Sequence, residues 1–193
     1  MMARPFSLLP LGLALALAAC GGNAPRYLID PPAAQLRLTT PARTIMLRDV
    51  SLPEYASASE IAVQEAGGAV RNARRALWAD RPERGVTLAL ARQLDAALSA
   101  TVAAEPWPLS GLPDAEIEVR VAQSLAGADN VFRLQGQYYV RADGMRHGMR
   151  LGPASAPFAI SVPMQGTEPA DIARAQSAAI AELAATIARG LGR

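Results

Sequence analysis

A chain of 193 residues, 51% of them hydrophobic, can bury a proper core, and its length suits one domain. Its 19 basic residues are all arginine and nearly balance its 17 acidic ones, for a net charge of +2. No dense basic run is interleaved with aromatic residues, so nucleic-acid binding is not expected. One cysteine and one histidine exclude an internal disulfide and a nitrogen/sulfur metal site, and no cofactor is expected.

The N-terminus has the three parts of an export leader. Arg4 supplies a positive start, residues 8–17 form an apolar stretch, and small residues precede a cleavage point. The apolar stretch is too short for a transmembrane helix, which needs about 20 apolar residues. Residues 17–20, Leu-Ala-Ala-Cys, resemble the lipobox of bacterial lipoproteins. This resemblance implies that Cys20 is acylated and becomes the mature N-terminus.

Cys20 therefore divides the chain into a processed and a mature part. We expect residues 1–19 to be a cleaved lipoprotein signal peptide, residues 20–25 a flexible lipidated tether, and residues 26–193 a single domain. The alternative is an ordinary secretory leader with an incidental cysteine, or a buried thiol. Two or more acyl chains make a stable membrane anchor. Gly21 replaces the aspartate that usually retains lipoproteins in the inner membrane, which favours the outer membrane, facing the periplasm.

The first part of the mature chain is predicted to form short strands. Strands are expected at residues 26–30, 44–50 and 60–65, with a single helical turn at residues 52–55. In the second strand, Ile45 and Leu47 share one face. Gly67 and Gly68 predict a hairpin turn into a further segment that ends at Trp78.

A first amphipathic helix is predicted after this hairpin. Asp80 can cap its free amides, Pro82 fits its first turn, and Glu83 completes the spacing of a capping box. Two prolines in residues 105–108 end it. The apolar residues that recur at helical intervals predict one buried stripe: Val86, Leu90, Leu94, Ala97 and Leu98.

A hairpin of longer strands follows at residues 116–125 and 131–141. In the first of these, apolar residues alternate with Glu116, Glu118 and Arg120, the pattern of a sheet with one solvated face. Three further features are predicted: a turn at residues 127–130, a hairpin at residues 143–144 that leads to residue 151, and an edge strand around residues 158–160.

A second amphipathic helix closes the chain. Thr167 is its predicted cap, Pro169 lies in its first turn, and Gly190 ends it. Its predicted buried face is formed by Ile172, Ala179, Ile180, Leu183 and Ile187. The predicted fold is α+β: a largely antiparallel twisted sheet with two long amphipathic helices packed on one face, in a two-layer sandwich.

Little in the sequence points to catalysis, and the chain is not expected to be an enzyme. His147 has no evident orienting partner or nucleophile, so a surface or sheet histidine is the expected reading. No Gly-x-Ser-x-Gly elbow and no glycine-rich phosphate loop occurs. The spacing of Glu116 and Glu118 is that of an exposed strand face.

Four residues are candidates for a partner interface: Pro53, Tyr55, Trp78 and Trp107. Tryptophan buries a large rigid surface at low entropic cost, which suits interfaces. It is equally a core residue when its indole N–H is satisfied. The core alternative is preferred for Trp78, just before the predicted helix, while the two alternatives stay open for Trp107, between two prolines.

Several short motifs behind the lipobox resemble those of the PqiC-like lipoproteins. They are Arg-Tyr-Leu-Ile-Asp-Pro-Pro at 26–32, Val-Ser-Leu-Pro-Glu-Tyr at 50–55, Ile-Ala-Val-Gln at 61–64 and Leu-Trp-Ala-Asp at 77–80. The family more often has Trp-Ala-Glu-Pro-Leu at the last motif, from which this chain departs. The order of elements fits over nearly the whole mature chain.

The resemblance implies an auxiliary lipoprotein of an ABC-type transport system that works with MCE-domain proteins. Its partners would be a periplasmic MCE-domain protein and that protein's inner-membrane ABC transporter, and it would dock the outer-membrane end of a lipid-transport assembly. A homo-oligomer would suit a symmetric partner. The alternatives are a carrier that holds an acyl chain between helices and sheet, and an envelope hydrolase.

Overall fold

The computed structural model describes residues 24–142, residue 151 and residues 155–192. Its strands are β1 (Arg26–Tyr27), β2 (Thr44–Leu47), β3 (Glu60–Gln64), β4 (Val70–Trp78), β5 (Thr101–Ala104), β6 (Ala115–Ala126), β7 (Val131–Ala142) and β8 (Ser155–Pro163). Its helices are α1 (Glu54–Ser57), α2 (Pro82–Ala97) and α3 (Pro169–Leu191). The predicted hairpin at residues 143–144 lies outside the described residues.

The strands form one sheet of mixed orientation, built around β6. Along one edge, β6 pairs with β7, which in turn pairs with β8, and both of these pairings are antiparallel. On the other edge of β6 lie two shorter strands that are parallel to it. Strand β2 pairs with the first residues of β6, and β3 pairs with its last residue. Beyond them, β5 is parallel to β2, β4 is antiparallel to β3, and β1 is parallel to β4.

The sheet therefore corrects the expected largely antiparallel arrangement. Alternating apolar residues determine which face of a strand is buried, but they do not determine the direction of its neighbour. The hairpin signals at Gly67-Gly68 and at residues 127–130 identified antiparallel pairs that are present in the structure. The parallel pairs join strands that are distant in sequence, and β5 was not predicted at all.

Burial confirms the predicted faces of the two long strands. In β6, Ile117 and Val119 are fully buried, and in β7 Phe132 and Leu134 are nearly so. The register of the two strands shifts between Val121 and Gln123, which marks a β-bulge. Beyond the bulge, Leu125 is 4% exposed, so the buried side of the sheet continues past it.

The buried stripes of the two long helices are confirmed, whereas three of their predicted termini are wrong by one residue. The predicted end of α2 is further off: α2 ends at Ala97, and β5 lies between it and the two prolines of residues 105–108. All ten predicted stripe residues are at most 2% exposed. The N-cap of α2 is Arg81 rather than Asp80, and that of α3 is Glu168 rather than Thr167; neither makes a side-chain capping hydrogen bond. Helix α3 runs to Leu191, one residue past Gly190. Proline opens both helices and so places their first turn.

Residues 28–38, which we call the strap, lie along both long helices. The backbone N–H of Asp30 donates to Ser177 Oγ of α3 at 3.0 Å. Gln93 Nε2 of α2 donates to the Pro32 carbonyl at 3.0 Å, and the N–H of Leu38 donates to the Ala97 carbonyl at 2.8 Å. The strap thus follows α2 toward its C-terminus.

Candidate functional site

The loop of residues 105–114, which joins β5 to β6, is held at both of its ends by β2. At its start, Glu105 Oε2 lies 3.7 Å from Arg48 Nε. At its end, Asp114 Oδ2 accepts the backbone N–H of Arg43 at 2.8 Å, and Thr44 Oγ1 accepts the N–H of Asp114 at 3.0 Å. Because β5 and β6 are both parallel to β2, the loop must return along β2 from its end to its start.

Between these two ends the loop is uncharged and carries exposed apolar side chains. The indole N–H of Trp107 donates to the Gly111 carbonyl at 3.0 Å and closes the loop on itself. Gly111 has a φ of +77°, a conformation that glycine adopts without steric cost. Leu109 is 43% exposed and Leu112 is 71% exposed. The result is an apolar projection with an ordered backbone.

Pro53 and Tyr55 lie in and beside the single-turn helix α1. The Pro53 carbonyl accepts the N–H of Ala56 at 2.8 Å, which closes the turn. The Tyr55 hydroxyl accepts the N–H of Ser124 at 3.2 Å, next to the bulge of β6. Tyr55 is half-buried, so it supports the sheet and still presents part of its ring to solvent.

Trp78 lies in the core. It is 5% exposed, its backbone N–H donates to the Ser59 carbonyl at 2.8 Å, and its backbone carbonyl accepts from Arg26 Nη1 at 3.4 Å. Trp78 is therefore a core residue and not an exposed interface residue in this structure. The four candidates do not form one site: Tyr55 bonds to the second half of β6, Trp78 is in the core, and Trp107 bonds within its own loop.

A family model described as the ABC-type transport auxiliary lipoprotein component matches residues 27–188. The chain belongs to this family. The match includes the strap and nearly all of the sheet and of both long helices, so the resemblance seen in the short motifs extends over most of the described residues. It also makes the protein a member of a membrane-associated lipoprotein family, whose described role in transport is auxiliary and not enzymatic.

Solved structures share the fold of this family member. One, described as the crystal structure of an uncharacterized protein, superimposes with a TM-score of 0.64 at 19% identity, over 83% of this chain and 97% of that one. Protein XCC0632 from Xanthomonas campestris, assigned to the DUF330 family, gives a TM-score of 0.66 at 16% identity, over 86% of this chain and 93% of that one. No curated protein matches the chain.

The described part of this auxiliary lipoprotein contains no group of three or more His, Cys, Asp or Glu residues that could hold a metal ion. None of its described helices is long and apolar enough to cross a membrane. His147 and Cys20 lie outside the described residues, so the expected surface position of His147 and the acylation of Cys20 remain predictions.

The groups with shifted pKa values include two carboxylates that bond to arginines and one tyrosine that is shielded from solvent. The hydrogen bond from Arg120 lowers the pKa of Glu118, and that from Arg133 lowers the pKa of Asp129 to about 2. Burial raises the pKa of Tyr138. Each of these shifts is explained by an ion pair or by burial.

On the solvated face of the sheet, glutamates form ion pairs with neighbouring arginines. Glu116 Oε2 lies 2.5 Å from Arg141 Nη2, and Glu118 Oε1 lies 2.7 Å from Arg120 Nη2. The Arg120 guanidinium also lies 5.1 Å from the centre of the Tyr139 ring, a cation–π contact. Glu116 and Glu118 lie on the less buried face of β6, as their spacing predicts, and both are half-buried.

Two features of this family member were missed from the sequence. The first is the exposure of Leu109 and Leu112; the signal was present as a run of apolar, proline and glycine residues, uncharged between Glu105 and Asp114. The second is a surface cavity of about 290 Å³ at the start of the strap, lined by Tyr27, Leu28, Ile29, Trp78 and Leu88 among others. No local pattern marks that cavity, because it joins three separate segments.

Proposed function

We propose that this chain is an outer-membrane-anchored periplasmic lipoprotein that docks the outer-membrane end of an MCE-type ABC lipid-transport assembly, without catalysis. Its partners are then a periplasmic MCE-domain protein and that protein's inner-membrane ABC transporter. Membership of the auxiliary lipoprotein family supports the transport role. The observation that carries the proposal is the small number of residues between Cys20 and β1.

Pro25, just before β1, already bonds to the neighbouring strand. Its carbonyl accepts the N–H of Leu77 at 3.2 Å, and the Tyr27 carbonyl accepts the N–H of Ala79 at 2.8 Å. Five residues separate position 20 from position 25, and an extended chain spans at most about 3.6 Å per residue. An acyl anchor on Cys20 therefore holds the body within about 18 Å of the bilayer.

In this proposal, residues 1–19 are removed, residues 20–25 form the tether, and residues 26–193 form one domain. Gly21 in place of aspartate supports the outer membrane, facing the periplasm. The ordered body presents exposed parts of Pro53, Tyr55 and Trp107 as docking candidates. A ring or other homo-oligomer would allow several copies to engage a symmetric partner.

The alternative, a carrier that holds an acyl chain between helices and sheet, has less support. The side chains that the helices direct at the sheet, such as Leu90, Leu94, Ile180 and Leu183, are fully buried. Protein interiors of this kind are close-packed, and opening a chain-sized groove would separate them.

Fractionation of cell envelopes tests the proposal. Wild-type protein is expected in the outer-membrane fraction and to co-purify with an MCE-domain protein of the same cell. The Cys20→Ala variant should leave that fraction, whereas the matched control His147→Ala should stay in it. Wild-type protein that fractionated with the inner membrane and bound no MCE-domain protein would overturn the proposal.

A further inference from the structure

Strand β4 contains a bulge that holds an arginine in a strained backbone conformation. Between its register pairs with Glu60 and Ala62, β4 contains four residues, 73–76, where β3 contains one. Within this bulge Arg75 has a φ of +54°, a region that residues other than glycine seldom adopt. Bulges re-aim side chains and strained residues cluster at functional sites, so Arg75 is a candidate contact residue.

The bulge lies beside the point at which the tether enters the body. Leu77, two residues after Arg75, donates its backbone N–H to the Pro25 carbonyl at 3.2 Å. Arg26 pairs with Leu77 in the parallel ladder of β1 and β4. Leu28, just after β1, is 70% exposed. We call Arg26, Leu28 and Arg75 the tether-side patch, because each lies within three residues of Pro25 or of its hydrogen-bond partner.

The patch carries a surplus of positive charge. Both of its arginines are exposed, and neither forms an ion pair with a carboxylate in the part of the chain that the structure describes. Arg71, earlier in β4, is by contrast paired with Glu65 at 2.9 Å. Glu60 is in register with Leu77 on the side of β4 away from Arg26, so it weakens the positive potential of the patch without pairing.

The tether determines what this surplus faces. Exposed cations attract either the anionic headgroups of a bilayer or an acidic protein. An acyl anchor on Cys20 holds Pro25 within about 18 Å of the bilayer. A small folded domain is about 30 Å across, so none fits between the patch and the membrane. The headgroups themselves can come within the Debye length of about 8 Å, where the attraction is strong.

We propose that the tether-side patch contacts the surface of a bilayer that contains anionic phospholipid, as a second membrane contact beside the acyl anchor. Arg26 and Arg75 lie at the headgroups, and Leu28 lies among them at the edge of the acyl chains. Basic and apolar side chains together are typical of segments that bind at this interface. The inference rests on the lipid anchor of the proposed function.

The consequence of this contact is a fixed orientation of the body. Ile29 lies against Gly85 near the start of α2, since a Cβ on that glycine would lie 3.3 Å from Ile29 Cδ1. Leu38, at the other end of the strap, bonds to Ala97. The twelve residues between these helix positions span about 18 Å. The start of α2 thus lies toward the membrane and its end points away, whereas a tether alone leaves this orientation free.

Energy transfer from tryptophan to a dansyl-labelled lipid tests the contact. Trp107→Phe leaves Trp78 as the only tryptophan, and Trp78 lies next to the patch, since its carbonyl accepts from Arg26 Nη1. The full-length lipidated protein is reconstituted in phosphatidylcholine vesicles with and without phosphatidylglycerol. We expect more transfer on the vesicles with phosphatidylglycerol, and a fall to the level of the neutral vesicles at high salt.

Variants of the patch and a matched control separate this contact from general surface charge. Each arginine near an anionic surface favours the bound orientation about fivefold. Arg75→Gly removes one charge and suits the positive φ, so it should lose most of the gain without loss of folding, whereas Arg75→Lys should keep it. Glu60→Gln should increase the gain. Arg37→Gln, an exposed position at the far end of the strap, should leave it unchanged.

The failures of the two proposals are distinguishable in the same experiment. Protein that floats with the vesicles but shows equal transfer with and without phosphatidylglycerol overturns the inference and leaves the cations to an acidic protein. A gain that Arg75→Gly retains in full overturns it as well. Protein that does not float overturns the lipid anchor itself.

Discussion

The backbone N–H of Asp30 donates to the Ser177 hydroxyl at 3.0 Å and joins residues 147 positions apart. The same hydroxyl donates to the Ala173 carbonyl at 2.7 Å, so its position on α3 is fixed. Asp30 follows the first strand closely, and the bond fastens the start of the strap to the last helix. Force on the tether would therefore be distributed to both the sheet and the helices.

Replacing this hydroxyl should loosen the strap. In Ser177→Ala the Asp30 N–H loses its acceptor, and a lost intramolecular hydrogen bond costs about 1 kcal/mol in the free energy of unfolding. Hydrogen exchange of residues 28–36 should accelerate, while that of β6 and β7 should not. Ser161→Ala, on the exposed face of β8, is the control and should change neither. Unchanged protection of the strap in Ser177→Ala would contradict its role as an anchor.

Much of the fold could be predicted because it depends on local periodicity. The stripe from Val86 to Leu98 and the alternation in β6 each follow from burying one face of an element, and both are confirmed. The choice of neighbours could not be predicted in this way. Whether β2 pairs with β6 and β5 depends on contacts between distant segments, and Thr101–Ala104 is too short to show a period.

For the docking candidates too, local sequence predicts some features, whereas contacts between distant segments could not be predicted. The sequence predicted that Trp107 could be a surface residue, since it lies between two prolines. It did not predict that Tyr55 supports Ser124, because that hydrogen bond spans 69 positions. For Trp78 the sequence favours the core alternative, and the residue is 5% exposed in the structure.

Two adjacent glycines in the β3–β4 turn should differ in their tolerance to alanine. Gly68 has a φ of +85°, whereas Gly67 has no positive φ, and an added Cβ meets no atom within 4 Å at either position. Since L-residues pay about 1 kcal/mol or more for a left-handed backbone, Gly68→Ala should lower the free energy of unfolding by about that amount. Gly67→Ala should be neutral or slightly stabilising. Chemical denaturation of both variants checks this, and equal effects would argue against the turn geometry.

Gly136, in the middle of β7, should tolerate no side chain. A Cβ there would overlap the Arg120 carbonyl oxygen and approach Phe158 Cζ to 2.8 Å, so backbone or core must move. Forcing atoms into a packed site costs about 1–3 kcal/mol or more, and we expect Gly136→Ala to lie at the upper end of that range. Gln135→Ala, at the preceding half-exposed position, should change the free energy of unfolding by less than about 0.5 kcal/mol. A thermal melt of Gly136→Ala that matched the wild type would show that β6 and β7 are not this close.

The Thr87 hydroxyl should stabilise the junction between α2 and the end of β2. It accepts the N–H of Val50 at 2.9 Å and donates to the Glu83 carbonyl at 2.7 Å, and both Thr87 and Val50 are at most 2% exposed. Thr87→Val keeps the shape but leaves a buried donor unpaired, which costs about 1–3 kcal/mol. Thr87→Ser keeps the hydroxyl and should cost less than Thr87→Val. The order of the two unfolding free energies is the measurement, and the reverse order would contradict the assigned bond.

The ion pair of Asp129 and Arg133 should make the β6–β7 turn sensitive to acid. The hydrogen bond from Arg133 lowers the pKa of Asp129 from 3.8 to about 2 in the folded protein. Because the folded pKa lies below the unfolded one, the stabilising contribution is present above pH 3.8 and is lost as the pH falls toward 2. A carbon-detected NMR titration of the Asp129 carboxyl should give a midpoint near 2, and Arg133→Gln should raise it. Arg174→Gln, which removes an unrelated pair on α3, should leave that midpoint unchanged. An unshifted midpoint in Arg133→Gln would mean that the turn backbone, and not the guanidinium, lowers this pKa.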